Sequence, residues 1–179
     1  MSRSRLLLFG LACYTVGTLF PSVLAQNRRP AFSADLYRDK EPAVAAAAFL
    51  DGALRLAENG SWERIAVGRA WYLGGDKARG QQLFDQVTSS KDVEGSDWFR
   101  VARVYTEAGE WDKAEAAFDR ALAIDKDDDS GMLEYGALAN VHKDRAKAEA
   151  LFARAFQKKP REFWHWVGAG GSYLGVQPE

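Results

Sequence analysis

A period of 34 residues, held without insertion, constrains this chain more than any other feature. Small residues recur at Gly68, Ala102, Gly136 and Gly170, and three positions after each stand Trp71, Tyr105, Ala139 and Tyr173. A second small series runs Ala46, Gly80, Ala114 and Ala148. A large apolar series follows at Leu50, Phe84, Phe118 and Phe152, then a further one at Ala53, Val87, Ala121 and Ala155. Such self-similarity is the mark of one supersecondary unit stacked upon itself.

The spacing within a unit predicts a helix pair. Trp98, Val101, Ala102 and Tyr105 fall at i, i+3, i+4 and i+7, one face of a helix. Ala114, Phe118 and Ala121 form the matching stripe on a second helix, and Gly109 between them suits the left-handed backbone that ends the first. Ala102 and Ala114 let the two backbones approach, while Phe118 fills the gap toward a neighbour. One pair cannot bury both its faces, so units must stack. The expected architecture is all-α, a right-handed α-solenoid of antiparallel helix pairs. Its full units are 61–94, 95–128 and 129–162, flanked by an N-terminal half repeat at 41–60 and a C-terminal half repeat and tail at 163–179.

The first 25 residues are set apart from the fold. Arg3 and Arg5 precede an apolar run from Leu6 to Leu24, and Val23-Leu24-Ala25 offers a cleavage site before Gln26. Residues 1–25 therefore read as a signal peptide, with an uncleaved membrane anchor as the rival reading. A periplasmic or secreted location follows, with membrane contact only if the segment is kept. Residues 26–40 are polar, lack the repeat pattern and read as a flexible leader. Cleavage takes two arginines and no acids from the 24 basic and 25 acidic side chains, moving the formal charge from −1 to −3, and removes Cys13, the one cysteine. Without a basic face, nucleic acid is not an expected partner.

The segment Trp98-Phe99-Arg100-Val101-Ala102-Arg103-Val104-Tyr105, followed by Ala114, Phe118 and Ala121, resembles the tetratricopeptide-repeat family. The next unit keeps Tyr135-Gly136, Ala148, Phe152, Ala155 and Pro160, but has Met132 and Ala139 where the family has tryptophan and tyrosine. The unit before keeps Val67-Gly68, Trp71, Gly80 and Phe84, and has Arg64 at the tryptophan position, which predicts an irregular start to its first helix.

Chemistry is sparse. Asp125, Asp127 and Asp129 have calcium-loop spacing, yet Gly131 comes one residue late and Gly136 stands where a bidentate glutamate is needed, so the run reads as an inter-unit loop with Asp129 or Ser130 as cap. Gly168, Gly170, Gly171 and Gly175 lack the lysine and the preceding strand of a phosphate cradle. Gly170 reads as a close helix contact, and Gly168 and Gly171 as helix-weakening. His142 and His165 alone make a zinc site unexpected, and His165 reads as a stacking residue among Phe163, Trp164 and Trp166. No catalytic constellation, metal or cofactor is expected, and an enzyme is disfavoured.

The resemblance implies a protein partner, a peptide or helix lying in the concave groove formed by the first helices. Projected onto this chain, the groove presents Arg69, Tyr72, Phe99, Arg103, Thr106 and Asn140, beside Ile65, Leu133 and Ala137. Arg69 and Arg103, one period apart, suit an acidic segment or a C-terminal carboxylate. Pairing with Glu107 or Glu134 is the competing reading. The lysine-and-asparagine clamp of the chaperone-binding members is not reproduced, since Ile65, Phe99 and Leu133 are apolar. The last half repeat adds Trp164, Val167 and Leu174 beyond what its inward face needs, predicting a sticky end for self-association or partner docking.

Overall fold

The computed structural model describes residues 32–178, so the segment read as a signal peptide lies outside the described residues. Within them the chain forms eight α-helices: α1 (Pro42–Ala57), α2 (Ser61–Leu73), α3 (Lys77–Thr88), α4 (Gly95–Glu107), α5 (Trp111–Ile124), α6 (Asp129–Val141), α7 (Arg145–Lys158) and α8 (Phe163–Tyr173). No strand occurs among the described residues. The pairs α2–α3, α4–α5 and α6–α7 are the full units, packed in sequence, with α1 and α8 as the halves. Ahead of α1, Ala34–Leu36 form one 3-10 turn, and Tyr37 stacks on Phe49 at 5.9 Å, so the end of the leader is folded against α1.

The small series explain how each pair closes. A Cβ on Gly68 would lie 2.6 Å from Phe84 Cε1, and one on Gly136 would lie 2.9 Å from Phe152 Cε1. The phenyl ring of the second helix therefore rests on the bare backbone of the first. Ala102 and Phe118, the same pair in the middle unit, are fully buried. The first full unit is closest of all, because Gly80 faces the backbone of α2: its Cβ would come within 2.6 Å of Gly68 O and 2.8 Å of Tyr72 N. Around these seams runs an aromatic chain, Phe84 to Tyr105 edge-on at 6.0 Å and Phe118 stacked on Tyr135 at 4.9 Å, which joins successive units.

Gly170 departs from its series. Nothing lies within 4 Å of the Cβ it would carry, because α8 has no second helix to supply the ring. Close packing is thus not the reason for this glycine. Gly168, read as merely weakening the helix, faces α6 instead, with Leu133 Cδ2 2.9 Å from its Cβ position.

Local chemistry fixes the helix ends. Asp76 and Asp144 cap α3 and α7 by accepting from Arg79 N at 3.0 Å and Lys147 N at 3.1 Å. Asp128, rather than Asp129 or Ser130, caps α6, accepting from Gly131 N at 2.9 Å. Asp125 accepts from Asp127 N at 3.1 Å, which ties the acidic run into a turn. The start of α2 is regular: it matches α4 and α6 in length, and Arg64 reaches back to the Glu58 carbonyl through Nε at 3.1 Å. A guanidinium here closes the end of α1, where Glu58 turns out at φ 49°.

The turn inside each unit needs a left-handed residue at one register position, filled by Gly75 (φ 105°), Gly109 (φ 73°) and Lys143 (φ 74°). A side chain in that region costs roughly 1–2 kcal/mol. Lys143→Gly should therefore stabilise the chain by about 1 kcal/mol in urea unfolding. Gly80→Ala should destabilise it by roughly 1–3 kcal/mol despite alanine's helix propensity. Gly170→Ala, with open space around it, should stabilise by about 0.5–1 kcal/mol; equal effects at 80 and 170 would contradict the packing given above.

Candidate partner-binding site

Following one register position along the first helices traces the expected groove. Ile65, Phe99, Leu133 and Val167 occupy the same position of α2, α4, α6 and α8. The first three are buried and Val167 is half exposed. The reason lies across the seam: Phe99 Cζ would come 2.3 Å from a Cβ on Gly131, so the ring is driven between α4 and α6 rather than into solvent. Its face meets Phe118 at 5.5 Å. Phe99, at 4% exposure, is a core residue and not a groove contact.

Tyr72 is likewise buried, at 2% exposure, with its ring against Phe84 (5.5 Å) and Tyr105 (5.6 Å). Its hydroxyl donates to Glu110 Oε2 at 2.6 Å and accepts from Lys113 Nζ at 3.1 Å. Lys77 also pairs with Glu110. Desolvation and then the bond to Glu110 raise the Tyr72 phenol above its ordinary value. The hydrogen bonds from Lys113, Lys77 and Tyr72 hold the Glu110 carboxyl down at about 2. Tyr72 therefore locks the first unit to the second and is not offered to a partner.

The two arginines find carboxylates on the next first helix. Arg69 Nε donates to Glu107 Oε2 at 3.0 Å, and its guanidinium forms a second bond to the same group. Arg103 Nε donates to Glu134 Oε1 at 2.6 Å, again with a second bond from the guanidinium. The hydrogen bond to the carboxylate raises each arginine further above its ordinary value. These are the pairings that competed with the acidic-ligand reading. Both arginines stay half exposed, so the forks form a charged rail on the surface.

The remaining expected residues divide. Thr106 bonds back to Ala102 O at 3.0 Å within its own helix. Asn140 donates to Ser172 Oγ at 3.0 Å and ties α6 to α8. Trp164, at 66% exposure, is the one candidate that stands free.

Trp164 borders a cleft of about 420 Å³ between α6 and α8. Leu133 and Glu134 form one wall, Val167, Gly168 and Gly171 the other, and Val176 to Pro178 of the tail close one side. Val176 N donates to Gly171 O at 3.0 Å, which holds the tail there. Glu134 thus belongs both to the Arg103 fork and to the cleft. The cleft escaped the sequence reading because the apolar row buried at Phe99 opens only at Val167; the glycines opposite Leu133 were its one visible trace.

Beneath the cleft His165 is buried, its ring edge-on to Phe156 at 5.9 Å and its Nε2 3.2 Å from Asp129 Oδ2. Lys159 Nζ lies 3.1 Å from the other oxygen of Asp129. His165 is thus an inward residue joining α8 to α6, not a stacking partner of the surface tryptophans. His142 does stack, on Trp111 at 4.1 Å. Among the described residues no group of three or more His, Cys, Asp or Glu could hold a metal ion, and no helix is long and apolar enough to cross a membrane.

This geometry of paired helices, phenyl rings on bare backbone and a left-handed intra-unit turn agrees with comparison to known families. The model of the tetratricopeptide repeat matches residues 96–128, the unit whose pattern is most complete. That unit carries the tetratricopeptide repeat, and the all-helical stack around it is consistent with a tetratricopeptide-repeat solenoid. No curated protein matches the chain. Tetratricopeptide repeats are in general non-catalytic modules that bind proteins or peptides.

The Glu110 cluster generates a pH dependence. Its carboxyl is depressed from 4.5 to about 2 in the fold, so its stabilising bonds are fully present above the ordinary value and are lost as pH falls toward about 2. Unfolding midpoints in urea should fall across that window. Glu110→Gln should lower stability at neutral pH and flatten the acid slope; an unchanged slope would show that the cluster does not couple the two units.

Proposed function

We propose that the chain is an exported protein-interaction module that takes a peptide or helix of a partner along its concave face. Residues 1–25 act as its signal peptide, and the mature chain works in the periplasm or outside the cell. The observation that carries the binding reading is the α6–α8 cleft, mostly apolar, bordered by the exposed Trp164 and joined to the Arg103–Glu134 fork. A partner would seat an apolar side chain in the cleft and run its polar flank along the rail, where acidic groups compete with Glu107 and Glu134 for the arginines. Exposed tryptophans beside pockets are typical anchors of such contacts. No cofactor or catalytic step enters this reading.

A second reading is favoured by a different surface. Phe163, Trp166, Tyr173 and Leu174 remain exposed outside the cleft, as befits a structural subunit of an envelope assembly that docks through its C-terminal end.

Capture of partners from an envelope fraction on the immobilised chain separates the two. Trp164→Ala should weaken retention of a groove partner by about tenfold or more. Arg69→Glu with Arg103→Glu should weaken retention of an acidic one through the like-charge repulsion it introduces. A partner held equally by all three chains would overturn the groove reading and leave the end-docking one.

A further inference from the structure

We propose that the two terminal half units complete each other between copies: α8 of one chain receives α1 of a second chain as its missing second helix, giving head-to-tail assembly. The inference rests on the end-docking reading above and names a second copy of this chain as the occupant.

Among the described residues α8 is a first helix without its second. Every full unit covers the register row of Trp98, Ala102 and Tyr105 with its own second helix; Ala102 is fully buried and Tyr105 is 7% exposed. The same row on α8 is Trp166, Gly170 and Tyr173, all exposed. Gly170 has nothing within 4 Å, where Gly68 and Gly136 carry a phenyl ring of the second helix. The tail does not fill the space. A left-handed Gly175 (φ 79°) ends α8 two residues before the register of Gly75 and Gly109, and sends Val176 to Pro178 to the cleft side.

The α1 side is the reciprocal case, a second helix without its first among the described residues. The row that is buried as Ala114, Phe118 and Ala121 in α5 is Ala46, Leu50 and Ala53 in α1. There Ala46 is exposed and the other two are half-buried. Tyr37 leans on neighbouring Phe49 and leaves Ala46 uncovered. Leu50 is the residue that register places over Gly170.

The two faces also match in charge. From Pro42 to Leu50 α1 carries no Asp, Glu, Lys or Arg, and neither does α8. The six helices between them all carry charges. Apolar and uncharged surface at both ends suits contact with protein rather than water. The pairing is heterologous, using different faces of the two copies, so it propagates instead of closing.

Two variants test this with the groove untouched. The side chain brought in by Gly170→Gln enters open space in one chain but collides with an incoming Leu50, and that of Ala46→Gln sits in solvent in one chain but collides with an incoming Gly170 face. Light scattering on the purified chain should show mass rising with concentration between about 10 μM and 1 mM, the range of weak contacts. Gly170→Gln and Ala46→Gln should each stay monomeric with unchanged circular dichroism. Mixed in equal amounts they should form a species of twice the monomer mass and no larger, because one competent junction remains. A wild-type chain monomeric across the range overturns the proposal, as does a mixture that stays monomeric. Self-association of Ala46→Gln alone overturns it too, by showing an α8-to-α8 contact; that result would keep end docking and refute its head-to-tail form.

Discussion

The rest of the structure depends on how closely the two helices of a unit can cross. Where Gly68 or Gly136 carries no Cβ, a phenyl ring from the partner helix lies on the backbone itself. That ring then serves two neighbours. Phe118 reaches Phe99 in its own unit and Tyr135 in the next, so one side chain closes the pair and welds the stack. Burial of each such ring contributes roughly 1.5–3 kcal/mol, with aromatic pairing adding about 0.5–1.5. A solenoid gains stability from intrinsic unit terms and nearest-neighbour terms. Here the two share the same atoms, so disturbing a crossing weakens both at once.

The same dependence explains why the ends differ from the middle. A register row is buried only when the helix that should cross it is present. Tyr105 and Tyr173 occupy one position, yet the first is buried and the second half exposed. Nothing in α8 is unusual in sequence at that row except that Gly170 lacks a ring above it. Exposure at the ends is thus a property of the repeat count. It needs no special composition, although α8 has no Asp, Glu, Lys or Arg, which leaves that surface more apolar than a terminal helix normally is.

How far the chain could be read without coordinates follows from the range of each interaction. The period, the helix pairs and the small positions were legible because each rests on contacts inside one unit, at fixed spacing. The α6 cap was legible to within a residue or two: Asp129 or Ser130 was expected, and the choice of Asp128 depends on backbone angles that spacing does not set. The groove was legible only in outline. Whether Phe99 faces solvent or a seam is decided by Gly131, on another unit, and by how far that glycine lets α4 and α6 close. The arginine partners, Glu107 and Glu134, were named from the sequence as competitors of an acidic ligand, but at 38 and 31 residues away they follow no single register that would have decided between the two readings.

The pairing of those arginines bears on what a groove ligand must do. A free guanidinium would attract any anion, but Arg69 and Arg103 already hold a carboxylate in two-bonded geometry. Exposed pairs of this kind contribute only about 0–1 kcal/mol, so exchanging one carboxylate for another is close to neutral. Charge alone therefore gives a ligand little net affinity on the rail; it sets orientation and discourages a basic flank that would face displaced glutamates. Net affinity has to come from surface taken out of water, and the cleft beside Trp164 is where the groove offers it. Because Glu134 belongs to both fork and cleft, a partner that fills the cleft on the reading proposed above would also rearrange the rail.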